Sequence, residues 1–294
     1  MKRFYKNTYL VLGAVMVLLL VGLAGLVPAL SPYGVEQMDM PNRFALPGPQ
    51  HWLGTDNFGR DLLTRLASGA QISLFISFGT VLVSSVLGIG VGMLAGYFGG
   101  WLDAVLMRFA DIFLAFPAFI LALAIIAVLG PGPVNLIVAL AAVSWTQYAR
   151  VSRAMTMTER HKDYILAVRS IGVSPLKILL VHILPNISGP LVVLATFGMG
   201  TAIVAESGMS FLGLGVQPPT PTWGWSLAYG LKYLRAEPWM STAAGLAITF
   251  AVLAFNLLGD GIRDHLDPGQ VTRKASRKAI KNAFQSTPSS RQTS

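Results

Sequence analysis

An all-α membrane protein with six transmembrane helices and both termini on the cytoplasmic side is the fold this 294-residue sequence predicts. Three observations carry that expectation. The residues are 53% hydrophobic and only 12% charged, where a soluble domain has roughly 25% charged residues. Several apolar runs approach the ~20 residues of helix that cross a hydrocarbon core. Lysine and arginine gather in alternate connections between those runs, which is the pattern of the positive-inside rule.

In order, the spans read as 9–30, 72–97, 112–129, 134–148, 187–206 and 241–258. The first follows Lys2, Arg3 and Lys6, and its 22 residues exceed the apolar core of about 7–15 in a secretory signal, so an uncleaved anchor is expected over a cleaved leader. The fourth is short and is expected to continue into WTQYARVSRAM as one helix emerging into water. An even number of spans places both termini on one side.

Charge placement supports this order. The 148–190 connection carries Arg150, Arg153, Arg160, Lys162, Arg169 and Lys177 against Glu159 and Asp163. From Asp260 onward, seven cations face three acids. The opposite connections are poorer in cations: 31–71 has three arginines against four acids, and 207–240 has Lys232 and Arg235 against Glu237. The cation-rich connections therefore lie inside. The connection between the second and third spans, with Arg108 against Asp103 and Asp111, is placed inside by counting alone. The net charge of +9 thus marks topology and not a nucleic-acid partner. No repeat of 20–50 residues is present. The basic, Ser/Thr/Gln-rich end reads as a solvated tail able to touch anionic lipid.

The sequence lacks several kinds of chemistry. Absence of cysteine excludes disulfides, cysteine-ligated zinc and thiol catalysis. Gly-Lys occurs nowhere, so no P-loop is present. Neither a Gly-x-Ser-x-Gly elbow nor His-Glu-x-x-His appears. His51, His161, His182 and His265 lack metal-ligand spacing and read as interface histidines. No cofactor is expected on this chain, and if ATP drives it, another subunit must bind the nucleotide. The run LGIGVGMLAGYFGG looks like a nucleotide-binding glycine pattern. It lies inside an apolar span without a strand–helix unit, so Gly88, Gly92 and Gly96 read as a flat stripe for helix packing.

An ionisable group inside the hydrocarbon would mark a pump or carrier. Glu206 is the candidate, and at about 19 residues along its span, roughly 28 Å, it reaches the outer interface and not the midplane. It reads either as an interfacial or mouth residue or as a pathway or coupling residue. Missing midplane charge disfavours an ion-coupled secondary carrier. A missing nucleophile–base set disfavours a membrane enzyme.

Two outer segments stand out. In HWLGTDNFGRDLLTRLASGAQISL, Leu62, Leu63 and Leu66 share a face, Asp61 and Arg65 are spaced to pair, Asp56 can cap, and Gly54 and Gly59 permit turns. This reads as an interfacial helix, with a docking role compatible. FLGLGVQPPTPTWGWSLAYG, with Phe211, Trp223 and Trp225, reads either as an irregular element at a pathway mouth or as a loop anchored by tryptophan rings at headgroup level.

The stretch DYILAVRSIGVSPLKILLVHILPN interrupts the apolar pattern with charges, glycine and proline. A first helix ends at Ile171 because Gly172 can take the left-handed turn. Ser174 then caps a second helix with Pro175 at its first position, running to about Leu184 and stopping as Pro185 opens the next span. Leu176, Leu179, Leu180 and Ile183 repeat at helical spacing with Lys177 outside. Such a short amphipathic helix suits either insertion into a partner's groove or lying on the membrane.

This stretch resembles the cytoplasmic loop of ABC importer permeases: Leu166-Ala167-Val168, Gly172 and Leu184-Pro185 stand where that family has Glu-Ala-Ala, Gly and Leu-Pro. LGTDNFGRDLLTRL, AGYFGGWLDAVLMRFADIFLAFP, SFLGLGVQPPTPTWG and AFNLLGDGIRDHLDP also look like the C-type permease of the dipeptide, oligopeptide and nickel import family, over residues 53–268. The resemblance implies a type I importer permease fold in a bacterial plasma (inner) membrane. It implies a heterodimer with a B-type permease, two ATPase subunits holding ATP, and a periplasmic or lipid-anchored solute-binding protein. The regions would be 1–71, an N-terminal span with its outer segment; 72–268, a permease core of five spans with the coupling loop 148–190; and 269–294, a basic tail. In the mechanism it implies, ATP closes the ATPase dimer and the 172–185 helix passes the motion to the pathway. Leu176, Ile178, Leu179 and His182 would form the seat, with Arg169 and Lys177 as rim charges. Leu166 replaces the family's Glu, which removes one polar contact and leaves the docking helix. The cargo implied is small peptides or nickel.

Overall fold

The computed structural model describes residues 8–235 and 237–266; Lys2, Arg3, Lys6 and the tail 269–294 lie outside them. Regular structure in the described chain is helical, apart from one isolated bridge, Thr55 to Asp61. In order they are α1 Thr8–Leu30, α2 Leu62–Phe98, α3 Gly100–Leu114, α4 Ala118–Leu129, α5 Pro133–Glu159, α6 Asp163–Ser170, α7 Pro175–Lys177, α8 Leu184–Phe211, α9 Trp223–Lys232 and α10 Pro238–Leu266. A π-helical turn, Ile178–Ile183, joins α7 to α8.

Among the described residues, four helices are long and apolar enough to cross a membrane: α1, α2, α10 and the continuous Pro175–Phe211. The α3–α4 pair, bent by 87°, makes a fifth if it is one span. α5 does not join them on hydropathy, because after an apolar first half it carries Ser144, Thr146, Gln147, Arg150 and Arg153. It does run unbroken for 27 residues into the polar sequence, as expected.

Three sequence expectations change. The span expected at 112–129 is two helices broken at Pro117, which occupies the N-cap of α4; proline has no N–H to continue the ladder and restricts the residue before it. The second span starts ten residues early, at Leu62, so the expected interfacial helix is the first turns of α2. Pro185 does not stop the helix after Gly172. The Leu184 N–H donates to the Leu179 carbonyl five residues back, and this wider turn carries the chain past Pro185 into α8.

α2 and α5 form the central pair. A Cβ on Gly88 would meet the Trp145 carbonyl, on Gly92 the Ala149 carbonyl and Ser152 Oγ, and on Gly96 the Arg153 carbonyl. All three glycines therefore face α5 at backbone-to-backbone approach. α1 lies against α10, with Gly13 on the Leu258 backbone and Gly261 on that of Leu10. Leu20, Leu62, Leu66, Ile203, Trp223 and Met240 bury one core under α9; Ile76, Ile126, Leu136 and Met209 bury a second between α2, α4, α5 and α8. Outward faces such as Val15, Leu18, Phe78 and Val86 stay exposed and apolar, the surface a bilayer covers.

Candidate coupling surface and outer cap

The α6–α7 turn forms for local reasons. Gly172 has φ +80, a left-handed conformation that β-carbons disfavour, and its N–H donates to the Arg169 carbonyl at 3.0 Å. Ser174 takes the N-cap position with extended backbone and Pro175 follows at the first turn, but the serine side chain makes no capping hydrogen bond.

Packing then divides the apolar positions of the turn. Ile178, Leu179 and Ile183 face inward with Ile165, Met93, Ile187 and Leu191. Leu176, Leu180, Val181, Ile171 and Leu166 remain exposed. Of the expected seat, Leu176 is at the surface, Ile178 and Leu179 are covered by this chain, and His182 is half-buried. Arg169, Lys177 and Ala167 are exposed, Leu184 is half-buried and Pro185 exposed. Helical spacing marks apolar positions but cannot divide them between a chain's own core and a neighbour.

A polar brace holds this turn, and sequence reasoning missed its members. The Tyr164 hydroxyl donates to Glu159, whose other oxygen meets Lys162 Nζ at 2.7 Å. Asn186 Nδ2 donates to the Tyr164 hydroxyl at 3.1 Å and to the His182 carbonyl at 2.6 Å. The end of α5, the start of α6 and the start of α8 are thereby joined. Burial alone would raise the Glu159 carboxyl; the Lys162 and Tyr164 hydrogen bonds outweigh it and hold Glu159 below its ordinary value. Burial and the Glu159 carboxylate push the Tyr164 phenol up to about 12, so it remains a donor. Arg160 Nη1 donates to the carbonyls of Gly96 and Tyr97 at 2.8 and 2.9 Å, closing the C-terminus of α2 as a cation should. Arg153 grips Asp103 in a bidentate pair through Nε and Nη2, one edge of its guanidinium. The Glu159–Lys162, Glu159–Tyr164 and His182–Asn186 contacts span three to five residues; those of Asn186 with Tyr164, Arg160 with α2 and Arg153 with Asp103 join distant residues.

At the opposite end, residues 31–61 fold into a cap. Asp61 is the N-cap of α2: it accepts from the Thr64 N–H at 2.8 Å and from His51 Nδ1 at 2.9 Å. The expected Asp61–Arg65 side-chain pair is replaced, because capping turns Asp61 away and Arg65 Nε instead lies 3.6 Å from Asp56. Asp56 does not cap a helix; it accepts from the N–H groups of Phe58 and Arg60 and pairs with Arg60 Nε at 2.7 Å. Gly54 and Gly59 both have positive φ.

α9 closes this end. Thr222 caps it through Trp225 N–H at 3.2 Å. Trp223 is not a headgroup anchor: it is 1% exposed and its Nε1 donates to the Leu66 carbonyl at 3.0 Å. Trp225 Nε1 donates to the Val216 carbonyl, so the preceding loop is tied to α9, and Phe211 is exposed at the end of α8. Glu206 lines no open mouth. It is fully buried beneath α9, accepting from Ser210 Oγ at 2.7 Å and Ser207 Oγ at 3.3 Å, with Ser73 of α2 also bonded to it.

Comparison with known proteins places this geometry in a family. Residues 88–271 match the binding-protein-dependent transport system inner membrane component, and residues 1–47 match the N-terminal transmembrane domain of oligopeptide transport permease C. A dipeptide transport system permease protein DppC of Alkalihalophilus pseudofirmus is 38% identical over 91% of this chain and 88% of its own length. A di/tripeptide transport system permease protein DppC of Pseudomonas aeruginosa is 42% identical over 91% and 90%. A glutathione transport system permease protein GsiD of Escherichia coli is 42% identical over 91% and 88%. Among solved structures, an inward-facing MetNI methionine ABC transporter matches with a TM-score of 0.57 at 22% identity, covering 68% of this chain and 95% of that one; this likeness concerns the fold.

Proposed function

Because this chain belongs to the binding-protein-dependent transport inner membrane components, as the C-type permease subunit of an ABC importer, we propose that it forms half of a pathway for small peptides in a bacterial inner membrane. The other half is a B-type permease, two ATPase subunits bind and hydrolyse ATP, and a periplasmic or lipid-anchored binding protein delivers cargo. No cofactor is held by this chain. Six spans cross the bilayer, α3–α4 counting as one bent span and α5 as another, with both termini cytoplasmic. Residues 1–71, 72–268 and 269–294 act as anchor with cap, permease core and tail. Peptide cargo is preferred over nickel because the relatives above are named for dipeptides, tripeptides and glutathione.

One observation carries the coupling role: Leu176 and Leu180 stand exposed, as do Arg169 and Lys177, on a turn whose inner face is locked into its own chain. A stiff element with an apolar outer face can transmit a push. A flexible one would give ATP binding no differential effect on the two permease states. Ser73 of α2 bonds to Glu206 of α8 and accepts from the Trp223 N–H of α9 at 3.5 Å, so α9 moves with the spans. The stripe Gly88, Gly92 and Gly96 keeps α2 and α5 moving together.

The test is co-purification of an ATP-binding subunit from detergent, with uptake of a labelled dipeptide in cells, for wild type and Gly172→Pro. Proline at 172 cannot adopt φ +80 and removes the N–H to Arg169. The subunit is expected with wild type and lost with the variant, at equal membrane yield. Wild type without an ATPase, or equal recovery from both, would refute the proposal.

A further inference from the structure

Beside the kink at Pro117 lies a cavity of about 510 Å³ lined by α3–α4, α5 and α8, with Thr80 of α2 also in its lining. That is within the roughly 300–1,000 Å³ of small-molecule sites. Its α5 wall carries Ser144, Gln147 and Arg150, spaced every three residues so that they share one face, and Thr201 of α8 stands on another wall. Gln147, Arg150 and Thr201 are exposed in this chain. Polar side chains at membrane depth face protein or water and not lipid. This face contributes to α5 being the least apolar of the long described helices. Rings of Phe113, Phe116 and Phe119 border the other side.

Arg150 of the lining donates from Nη2 to Oδ1 of Asp111, just outside it, at 2.8 Å, and both side chains are about half exposed, 55% and 47%. That single hydrogen bond leaves other donors of the guanidinium fork open to a carboxylate. Asp111 keeps a second oxygen for an ammonium group. Among the described residues no cluster of three or more His, Cys, Asp or Glu is present to hold a bare metal ion. Resting on the permease reading above, we propose that this cavity is a station of the pathway for a short zwitterionic peptide, with Arg150 taking its carboxylate end, Asp111 its ammonium end, and the phenylalanine rings its side chains.

Because this chain has no cysteine, any thiol label recovered on it from the full complex with partner permease and ATPases belongs to the introduced residue. Single variants Gln147→Cys, Thr201→Cys and, on the apolar outer face of α2, Val86→Cys are reacted with the ionic reagents 2-sulfonatoethyl and 2-aminoethyl methanethiosulfonate. Thiols at 147 and 201 are expected to react at least roughly tenfold faster than one at 86, because a thiol in hydrocarbon does not ionise. Alanylalanine is expected to slow the reaction at 147 severalfold, and N-acetylalanine amide, without end charges, to leave it unchanged. Adding Arg150→Gln should abolish the protection, and Arg150→Lys should retain part of it. Unreactive thiols at 147 and 201 in a complex that still hydrolyses ATP would overturn the station and spare the permease reading. Equal protection by the blocked compound, or none by alanylalanine, overturns the zwitterion assignment. A preparation without any ATPase sinks both.

Discussion

Leu176 tests the coupling surface most sharply, because its exposure separates a docking role from a folding role. It is 64% exposed, so this chain gains little from it. Fully burying a leucine contributes about 1.5–3 kcal/mol; covering the exposed two-thirds contributes about 1–2 kcal/mol to docking, or roughly 5–30-fold in Kd. Leu176→Ala should weaken binding of the ATPase subunit by that factor. Leu176→Asp should weaken it further, by placing a carboxylate in an apolar groove. Ile178, two residues on and on the opposite side of the helix, is fully buried. Ile178→Ala should cost about 2–5 kcal/mol of stability and lower the Tm, with near-normal docking while the protein remains folded. The assay titrates the purified ATPase subunit against the permease pair in nanodiscs, following ATP hydrolysis, beside thermal melts of each variant. If both Leu176 variants bind like wild type, the exposed patch is not the seat, and the division of the helix into an inner and an outer face has no part in docking.

Further consequences follow from the packing. Gly92→Leu should overpack the α2–α5 contact against Ala149 and Ser152 by about 1–3 kcal/mol, whereas Gly90→Ala, into open space, should be neutral or stabilising by up to about 1 kcal/mol; melts of the two decide whether the stripe or helix propensity matters. Glu206→Leu should leave the Ser73, Ser207 and Ser210 hydroxyls without their acceptor and destabilise by about 1–3 kcal/mol, with Glu206→Gln milder; a neutral Glu206→Leu would contradict the buried tie. Glu159, held below its ordinary carboxylate value, contributes stability that is complete above pH 4.5 and is lost as pH falls through the lowered value. Tyr164→Phe should flatten that acid limb in melts of the detergent-solubilised complex, and an unchanged limb would show that the brace is not the group titrating.

Sequence alone determined that the chain is helical, where its apolar segments lie, that Gly172 turns left-handed with Pro175 at a first turn, and that Gly88, Gly92 and Gly96 form one surface. These depend on properties each residue brings with it: chain length against bilayer thickness, a missing Cβ, a missing N–H. Motif resemblance extended this to the family. The Glu159–Tyr164–Asn186 brace, the burial of Trp223 and Glu206 beneath α9, and the replacement of Asp61 by Asp56 as the partner of Arg65 were not legible, since each joins residues whose separation only folding removes. Some signals were present and decided differently by context. Pro117 breaks a helix by 87°, while Pro185 and Pro190 sit in a continuous one. A proline's local chemistry is the same in all three places. At Pro185 the π turn and the cluster around Ile178 and Ile187 hold the chain on course; at Pro117 the two halves bury different faces, and the cavity lined by α5 and α8 lies beside the bend. Tertiary structure likewise divided the apolar repeat after Gly172, with Leu179 and Ile183 inside and Leu176 and Leu180 outside. Periodicity fixes which residues share a helical stripe, and only the position of neighbouring helices fixes how wide a part of that stripe is covered.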